Sequence, residues 1–155
     1  MTKIFEIIKG QAEYVMRTLG KGHRERVYHR AMITALNKAG VAHRSEVECP
    51  IWFMGECVGV GRADLVIQDV VVEIKANKSA PTKASPQILK YISSLNKLSK
   101  KIYRGIIVNF NQITGSVDIY TGESELFQRS VSAKSRKEPP KIFKRQKNHL
   151  ETPWM

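Results

Sequence analysis

A chain of 155 residues is long enough for one folded domain with a substantial core, and 42% hydrophobic with 26% charged residues is ordinary for a globular protein. The net charge of +12 and the sequence pI near 9.9 are not ordinary and indicate a polyanionic partner, either nucleic acid or an anionic membrane surface. No apolar run approaches the ~20 residues that span a bilayer, and the N-terminus has neither the apolar core nor the cleavage site of a signal peptide. We therefore expect an intracellular protein, cytoplasmic or nuclear, that is not held in a membrane.

The first forty residues predict two helices. Apolar residues recur at helical spacing over residues 4–18, and Gly20 follows as a C-terminal signal. The second helix is predicted from about His23 to Lys38, with Glu25 in its first turn. The helix dipole favours a carboxylate there without any catalytic role, so the position alone assigns no function.

Residues 57–76 predict a β-hairpin that carries acid on one face. If Gln68-Asp69 is the turn, Asp64 faces Glu73 and Arg62 faces Lys75, and these four side chains share one face. The reverse face is wholly apolar: Ala63, Leu65, Ile67, Val70, Val72 and Ile74. Opposed carboxylates repel, so the register predicts a divalent cation, Mg²⁺ or Mn²⁺, although a one-residue slip would separate the pair.

The remaining elements follow in order around this hairpin. Residues 44–53 predict a strand before it, on which Trp52 and Phe53 are expected to be core residues. After a polar loop, a helix is predicted to about Ser99, with Ser85 as N-cap and Pro86 at its first position. Strands are then predicted at 103–110, apolar on both faces and hence central, and at 115–120. The predicted order of elements is ααβββαββ, which is typical of an α/β fold.

The two cysteines, Cys49 and Cys57, are too few for a four-cysteine zinc or iron–sulfur site, and we expect reduced thiols. From about residue 129 the composition changes, which divides the chain into a domain at 1–128 and a basic C-terminal tail at 129–155. Residues 134–147 hold seven basic residues against one glutamate, half of the chain's net charge. We interpret the tail as an arm that contacts phosphates. Its basic residues are Lys134, Arg136, Lys137, Lys141, Lys144, Arg145 and Lys147.

Three motifs together resemble one group of nucleases. Asp64 followed by Glu73-Ile74-Lys75 is similar to the (P)D…(D/E)xK signature of the restriction-endonuclease-like superfamily, with Ala63 in place of the usual proline. The run from Gly22 to Tyr28 resembles the signature of its GxxExxY branch. Gln87 to Tyr91 resembles the QxxxY motif of nucleases of the RecB, lambda-exonuclease and Cas4 type. The resemblance covers about residues 4–120 and implies a restriction-endonuclease-like core, in which helices flank a mixed central β-sheet.

The resemblance also implies a site. Asp64, Glu73 and the carbonyl of Ile74 would hold Mg²⁺ or Mn²⁺, with Glu25 as a direct or water-mediated ligand. Lys75 would orient water or neutralise the transition state. The scissile strand would be positioned by Gln87, Tyr91 and Arg62, with Lys78 as a further contact to nucleic acid.

Three functions are consistent with these residues. The first is a metal-dependent deoxyribonuclease acting as an exonuclease or in end processing, and the absence of a four-cysteine cluster argues against a Cas4-type enzyme. The second is a structure-specific endonuclease similar to a Holliday-junction resolvase, and a homodimer is conceivable for either. The third is a DNA-binding or packaging protein that uses the fold without the chemistry. The sequence does not separate DNA from RNA as the substrate.

Overall fold

The computed structural model describes residues 3–99, 101 and 103–121, which form three helices and five strands in the predicted order. The basic tail lies outside the described residues. The elements are α1 (Lys3–Leu19), α2 (Glu25–Lys38), β1 (Arg44–Phe53), β2 (Glu56–Ile67), β3 (Val70–Lys75), α3 (Ala84–Leu98), β4 (Arg104–Phe110) and β5 (Val117–Thr121). None of the helices in this part of the chain is long and apolar enough to cross a membrane.

The five strands form one mixed sheet in the order β1-β2-β3-β4-β5. β3 and β4 are parallel, and every other neighbouring pair is antiparallel. A parallel connection needs a crossover, and α3 supplies it between β3 and β4. The predicted central position of β4 is confirmed, because its inner residues are buried on both faces of the sheet.

Each face of the sheet has its own apolar core. On one face, α1 and α2 bury a cluster that includes Ile8, Tyr28 and Met32 against alternate residues of β2, β3 and β4. On the other face, α3 contributes Ile88, Tyr91 and Leu95. The sheet is therefore covered on both sides by helices, and its functional groups lie where the strands end or separate.

The predicted apolar face of the hairpin is correct except at Ala63. Ala63 packs in the α3 cluster, whereas Leu65, two residues later, packs in the α1–α2 cluster. The pairing of β1 with β2 omits Glu46 and Asp64 at this point, and Glu46 has a φ of +51°. An irregularity of this kind re-aims neighbouring side chains, so β2 changes the face that it presents at Asp64.

Two further expectations were wrong. Trp52 and Phe53 are not core residues: they are 45% and 56% exposed, near the tip of the β1–β2 ribbon. Ser85 is not the N-cap of α3, because the helix begins at Ala84 with Lys83 as its N-cap. Pro86 is nevertheless compatible with this start, since the first-turn N–H groups of a helix have no intrahelical partner.

Candidate active site

The strands β2 and β3 separate where the acidic residues lie. Backbone pairing between them runs as predicted from Ile67 and Val70 to Leu65 and Val72 and then stops. Beyond it the Asp64 carboxylate takes the place of a backbone partner, and its Oδ2 accepts a hydrogen bond from the Ile74 N–H at 2.8 Å. The Asp64 N–H in turn donates to Glu73 Oε1 at 3.3 Å. The two carboxylates therefore meet in the opening between the strands.

Glu73 is almost fully buried, with only 1% of its surface exposed. Burial raises its pKa to about 8, and the adjacent charge of Asp64 adds to the rise while the Asp64 N–H and Lys75 oppose it. A carboxylate held in this way is expensive to ionise unless a cation joins it. The burial of Glu73 is a property that the sequence pattern did not indicate.

Glu25 reaches the same region from the first turn of α2. Its Oε1 lies 3.9 Å from Lys75 Nζ, and the Lys75 side chain is only 20% exposed. Burial raises the pKa of Glu25, Lys75 opposes that shift, and Asp64 adds to it. One turn further along α2, His29 Nε2 donates to the Asp64 carbonyl at 3.0 Å. His29 was not predicted, although its spacing of four from Glu25 places both on one helix face.

The loop that presents Glu25 is fixed by a tyrosine. Tyr28 is fully buried and stacks on Phe110 with ring centroids 4.5 Å apart. Its hydroxyl donates to the Gly20 carbonyl at 2.8 Å and accepts from the side-chain amide of Gln112 at 3.2 Å. Gln112 also accepts from the Gly22 N–H. The glycine and tyrosine of the GxxExxY-like run thus shape the entry to α2, and Gln112, some 90 residues away, was not predictable from local sequence.

Gln87 and Tyr91 lie together on α3, as their spacing predicts. Gln87 Nε2 donates to the Tyr91 hydroxyl at 2.8 Å, and Tyr91 is buried, with 7% of its surface exposed. Its ring lies against Gly61 so closely that a Cβ there would collide with it. The Tyr91 ring therefore lies against β2 at Gly61, which is three residues before Asp64. Among the described residues, no hydrogen bond joins either side chain to the acidic pair.

The predicted position of Arg62 is wrong. It stands opposite Glu48 on β1, and no β2–β3 pairing joins it to Lys75. Alternation from Gly61 turns its exposed side chain away from the face where Tyr91 packs. Lys78 is exposed in the loop after β3. The seven basic residues predicted in the tail, Lys134, Arg136, Lys137, Lys141, Lys144, Arg145 and Lys147, lie outside the described residues.

A buried amide holds the end of β3. Asn109, on β4, is fully buried and pairs beside Lys75 in the sheet. Its Oδ1 accepts from the Asn77 N–H at 2.8 Å, and its Nδ2 donates to the Asn77 carbonyl at 3.3 Å. These two bonds fix the chain just after Lys75. Asn109 therefore positions the lysine indirectly, which its place in an apolar strand did not indicate.

The oxygen donors fit a hard divalent cation. Asp64 and Glu73 supply two carboxylates, and the Ile74 carbonyl follows directly after Glu73 on β3. These oxygen donors suit Mg²⁺ or Mn²⁺ better than a soft metal. Within the described ranges, no group of three or more His, Cys, Asp or Glu side chains has metal-binding geometry. Glu25 is thus placed beside Lys75 rather than within a three-carboxylate cluster.

Cys49, buried, and Cys57, exposed, are both free thiols, as expected.

The protein is an α/β protein in which two strands of a mixed sheet separate beside an acidic pair and a lysine. These side chains are of the kinds that bind a cation and a phosphate group. The sequence profile of the PD-(D/E)XK nuclease superfamily matches residues 2–120. The chain belongs to this superfamily. The predicted restriction-endonuclease-like fold is confirmed.

Two other comparisons add little. No curated protein matches the chain. A solved structure titled "Crystal structure of SSO0001" is similar, with 17% sequence identity and a TM-score of 0.48. The similarity covers 72% of this chain, which spans 59% of that protein.

Proposed function

We propose that this protein is a divalent-metal-dependent deoxyribonuclease that hydrolyses DNA phosphodiester bonds as an exonuclease or in end processing. The observation that supports it best is the opening between β2 and β3, where Asp64 meets a buried Glu73 and Lys75 follows two residues later. The run from Gly22 to Tyr28 resembles the signature of the GxxExxY branch and supports membership of that branch within the superfamily. The Gln87–Tyr91 pair favours the exonuclease and end-processing type.

Each site residue has a role that its position suggests. Asp64, Glu73 and the Ile74 carbonyl would hold Mg²⁺ or Mn²⁺, with Glu25 as a direct or water-mediated ligand. When bound, such an ion offsets the charge of the acidic pair and lowers the pKa of water so that it can attack phosphorus. Lys75 places its ammonium group beside this pair, where it stabilises the negative charge that develops on the phosphate.

Glu25 also orients Lys75. The Glu25 carboxylate lies 3.9 Å from the Lys75 ammonium group and so restricts the positions that this group can take. The hydroxyl of Tyr91 and the amide of Gln87 are hydrogen-bonded to each other and present polar atoms on α3 for a phosphate of the scissile strand. The net charge of +12 supplies the long-range attraction for a polyanion.

Cleavage of labelled linear, circular, single-stranded and branched DNA tests the proposal in Mg²⁺, Mn²⁺ or EDTA. We expect linear DNA to be shortened from its ends with either metal ion and no product in EDTA. Lys75→Met should abolish cleavage while binding persists, whereas Lys9→Met, at an exposed position of α1, should leave both unchanged. Preference for branched DNA would instead indicate a resolvase-like endonuclease. Binding without cleavage under every condition would refute catalysis and favour a DNA-binding or packaging role.

The quaternary state is part of the same proposal. A homodimer would present two sites to the two strands of a duplex, and sedimentation of the full chain with and without DNA measures it. Parallel assays with RNA determine whether the 2′-hydroxyl is tolerated.

A further inference from the structure

The tip of the β1–β2 ribbon carries several exposed apolar side chains. Trp52, Phe53 and Met54 are 45%, 56% and 80% exposed, and Val58 and Val60 on the facing strand are 60% and 55% exposed. Exposed apolar side chains grouped at one end of a domain are candidates for an interaction site. This surface takes no part in the active site described above.

A groove connects the ribbon with α3. It has a volume of about 140 Å³ and is lined by Pro50, Ile51, Trp52, Lys90, Ser93, Ser94 and Lys97. The Ser94 hydroxyl donates to the Pro50 carbonyl at 2.9 Å and fixes the ribbon against the helix. The pairing register shifts between Ile51 and Trp52, so these neighbouring residues line the same groove although a regular strand would turn them to opposite faces.

The groove has the composition of a contact to a nucleic-acid strand. It combines one exposed aromatic ring with two exposed lysines, and no acidic residue lines it. Its volume is well below the ~300–1,000 Å³ of a small-molecule site. A flat ring beside cations binds single strands by base stacking and phosphate contacts.

We propose that this groove binds an unpaired segment of the substrate strand, with Trp52 stacking on a base and Lys90 and Lys97 contacting phosphates. The inference rests on the proposed nuclease function and specifies its substrate as a nucleic acid with a single-stranded region beside the cleaved bond. Trp52 can stack only on a base that has left the duplex. A second copy of this chain is a poorer occupant, because a symmetric contact would bring like-charged lysines together.

The groove and the active site share one helix. Gln87 and Tyr91 occupy the N-terminal half of α3, and Lys97 lies ten residues beyond Gln87, or about 15 Å at 1.5 Å per residue. Lys90 and Lys97 are seven apart and therefore project from one side of the helix. A strand that follows α3 away from the active site would reach Trp52 after a few nucleotides.

Binding in EDTA tests this inference separately from catalysis. The full chain would carry Trp154→Phe, so that Trp52 is its sole tryptophan. The probes are labelled oligothymidylate of about fifteen nucleotides and an abasic strand of the same length. We expect the oligothymidylate to quench Trp52 fluorescence and the abasic strand to leave it unchanged. Trp52→Ala should weaken binding of oligothymidylate roughly 5- to 150-fold and binding of the abasic strand little.

The lysines and a control residue complete the design. Replacing Lys90 and Lys97 by Gln should weaken binding of both strands and reduce the slope of log affinity against log salt by about 1.4, since each phosphate contact of a single strand contributes about 0.7. Tyr14→Ala removes an aromatic ring that is 55% exposed, against 45% for Trp52, from α1 on the opposite face of the sheet, and should leave the binding of both strands unchanged.

The inference is overturned if Trp52→Ala weakens both strands equally, or neither. It is also overturned if sedimentation shows that the wild type is a dimer that Trp52→Ala dissociates, since a second copy would then occupy the ribbon. If the protein cleaves DNA with a metal ion but Trp52→Ala leaves strand binding unchanged, the groove proposal is wrong and the proposed nuclease function stands. If strand binding depends on Trp52 but no metal ion supports cleavage, the proposed catalysis is wrong and the groove proposal stands.

Discussion

The burial of Glu73 predicts an unusual dependence of stability on pH. Its pKa is about 8 in the folded protein because burial and the charge of Asp64 disfavour the ionised form, against an ordinary value of 4.5. Below pH 4.5 the side chain is protonated in both the folded and the unfolded states. As pH rises from 4.5 to about 8, the unfolded chain releases this proton and the folded chain retains it, so the free energy of unfolding falls.

The magnitude follows from the two pKa values. Each tenfold change in proton affinity corresponds to about 1.4 kcal/mol, so the loss approaches about 5 kcal/mol and levels off above pH 8. This is a large part of the ~5–15 kcal/mol that stabilises a typical domain. Glu73→Gln removes the titrating group with little change of shape and should flatten the curve between pH 5 and 8.

Urea unfolding in EDTA from pH 4.5 to 9 measures this effect. Asp64→Asn should reduce the slope in part, because it removes the neighbouring charge, and Glu48→Gln, at an exposed position of β1, should leave the curve parallel to that of the wild type. Mg²⁺ should stabilise the wild type at pH 8 and have no such effect on Glu73→Gln. Parallel curves for the wild type and Glu73→Gln would refute the assignment of Glu73 as a buried carboxyl that a cation must offset.

Three further substitutions test the surroundings of the site. Gly61→Ala should lower the free energy of unfolding by about 1–3 kcal/mol, because the added Cβ collides with the Tyr91 ring. A Cβ at Gly59 makes an ordinary 3.7 Å contact, so Gly59→Ala should lower it far less. Thermal unfolding compares the two variants, and equal losses of stability would contradict this packing. Asn109→Ala leaves the Asn77 backbone unpaired and should cost about 1–3 kcal/mol in urea unfolding; no loss would mean that this bond does not hold the end of β3. Tyr28→Phe keeps the ring stacking but loses the hydrogen bonds of the hydroxyl group. We expect a loss of about 1–2 kcal/mol in the free energy of unfolding, and slower cleavage with unchanged DNA affinity. An unaltered cleavage rate would disprove the role of Tyr28 in placing Glu25.

The sequence alone predicted the order of elements and the meeting of the two acidic residues. A two-residue link between β-rich runs fixes which residues oppose each other, and alternation then assigns their faces. That local geometry correctly paired Val66 with Val71 and brought Asp64 next to Glu73. The predicted position of Arg62 was wrong because the β2–β3 ladder ends at Leu65 and Val72, before it reaches Arg62.

What failed depends on contacts between distant parts of the chain. The divergence of β2 from β3 accompanies an irregularity opposite Asp64 on β1, a strand outside the β2–β3 hairpin. Trp52 was assigned to the core because it is apolar and lies on a strand, yet the ribbon extends where no helix covers it. Composition records that a side chain is apolar, but only tertiary packing decides whether another element reaches it.

The chemistry of the site divides in the same way. The identity and spacing of Asp64, Glu73 and Lys75 were evident from the chain itself, because period-two alternation and a short turn are local properties. Only the tertiary structure decided three other features of the site. These are the burial of Glu73, the hydrogen bond from His29 to the Asp64 carbonyl, and the hydrogen bond between Gln112 and the Gly22 N–H in the loop before Glu25. Desolvation and hydrogen-bond partners come from residues far away in sequence, so they convert an acidic pair into a site whose charge must be compensated.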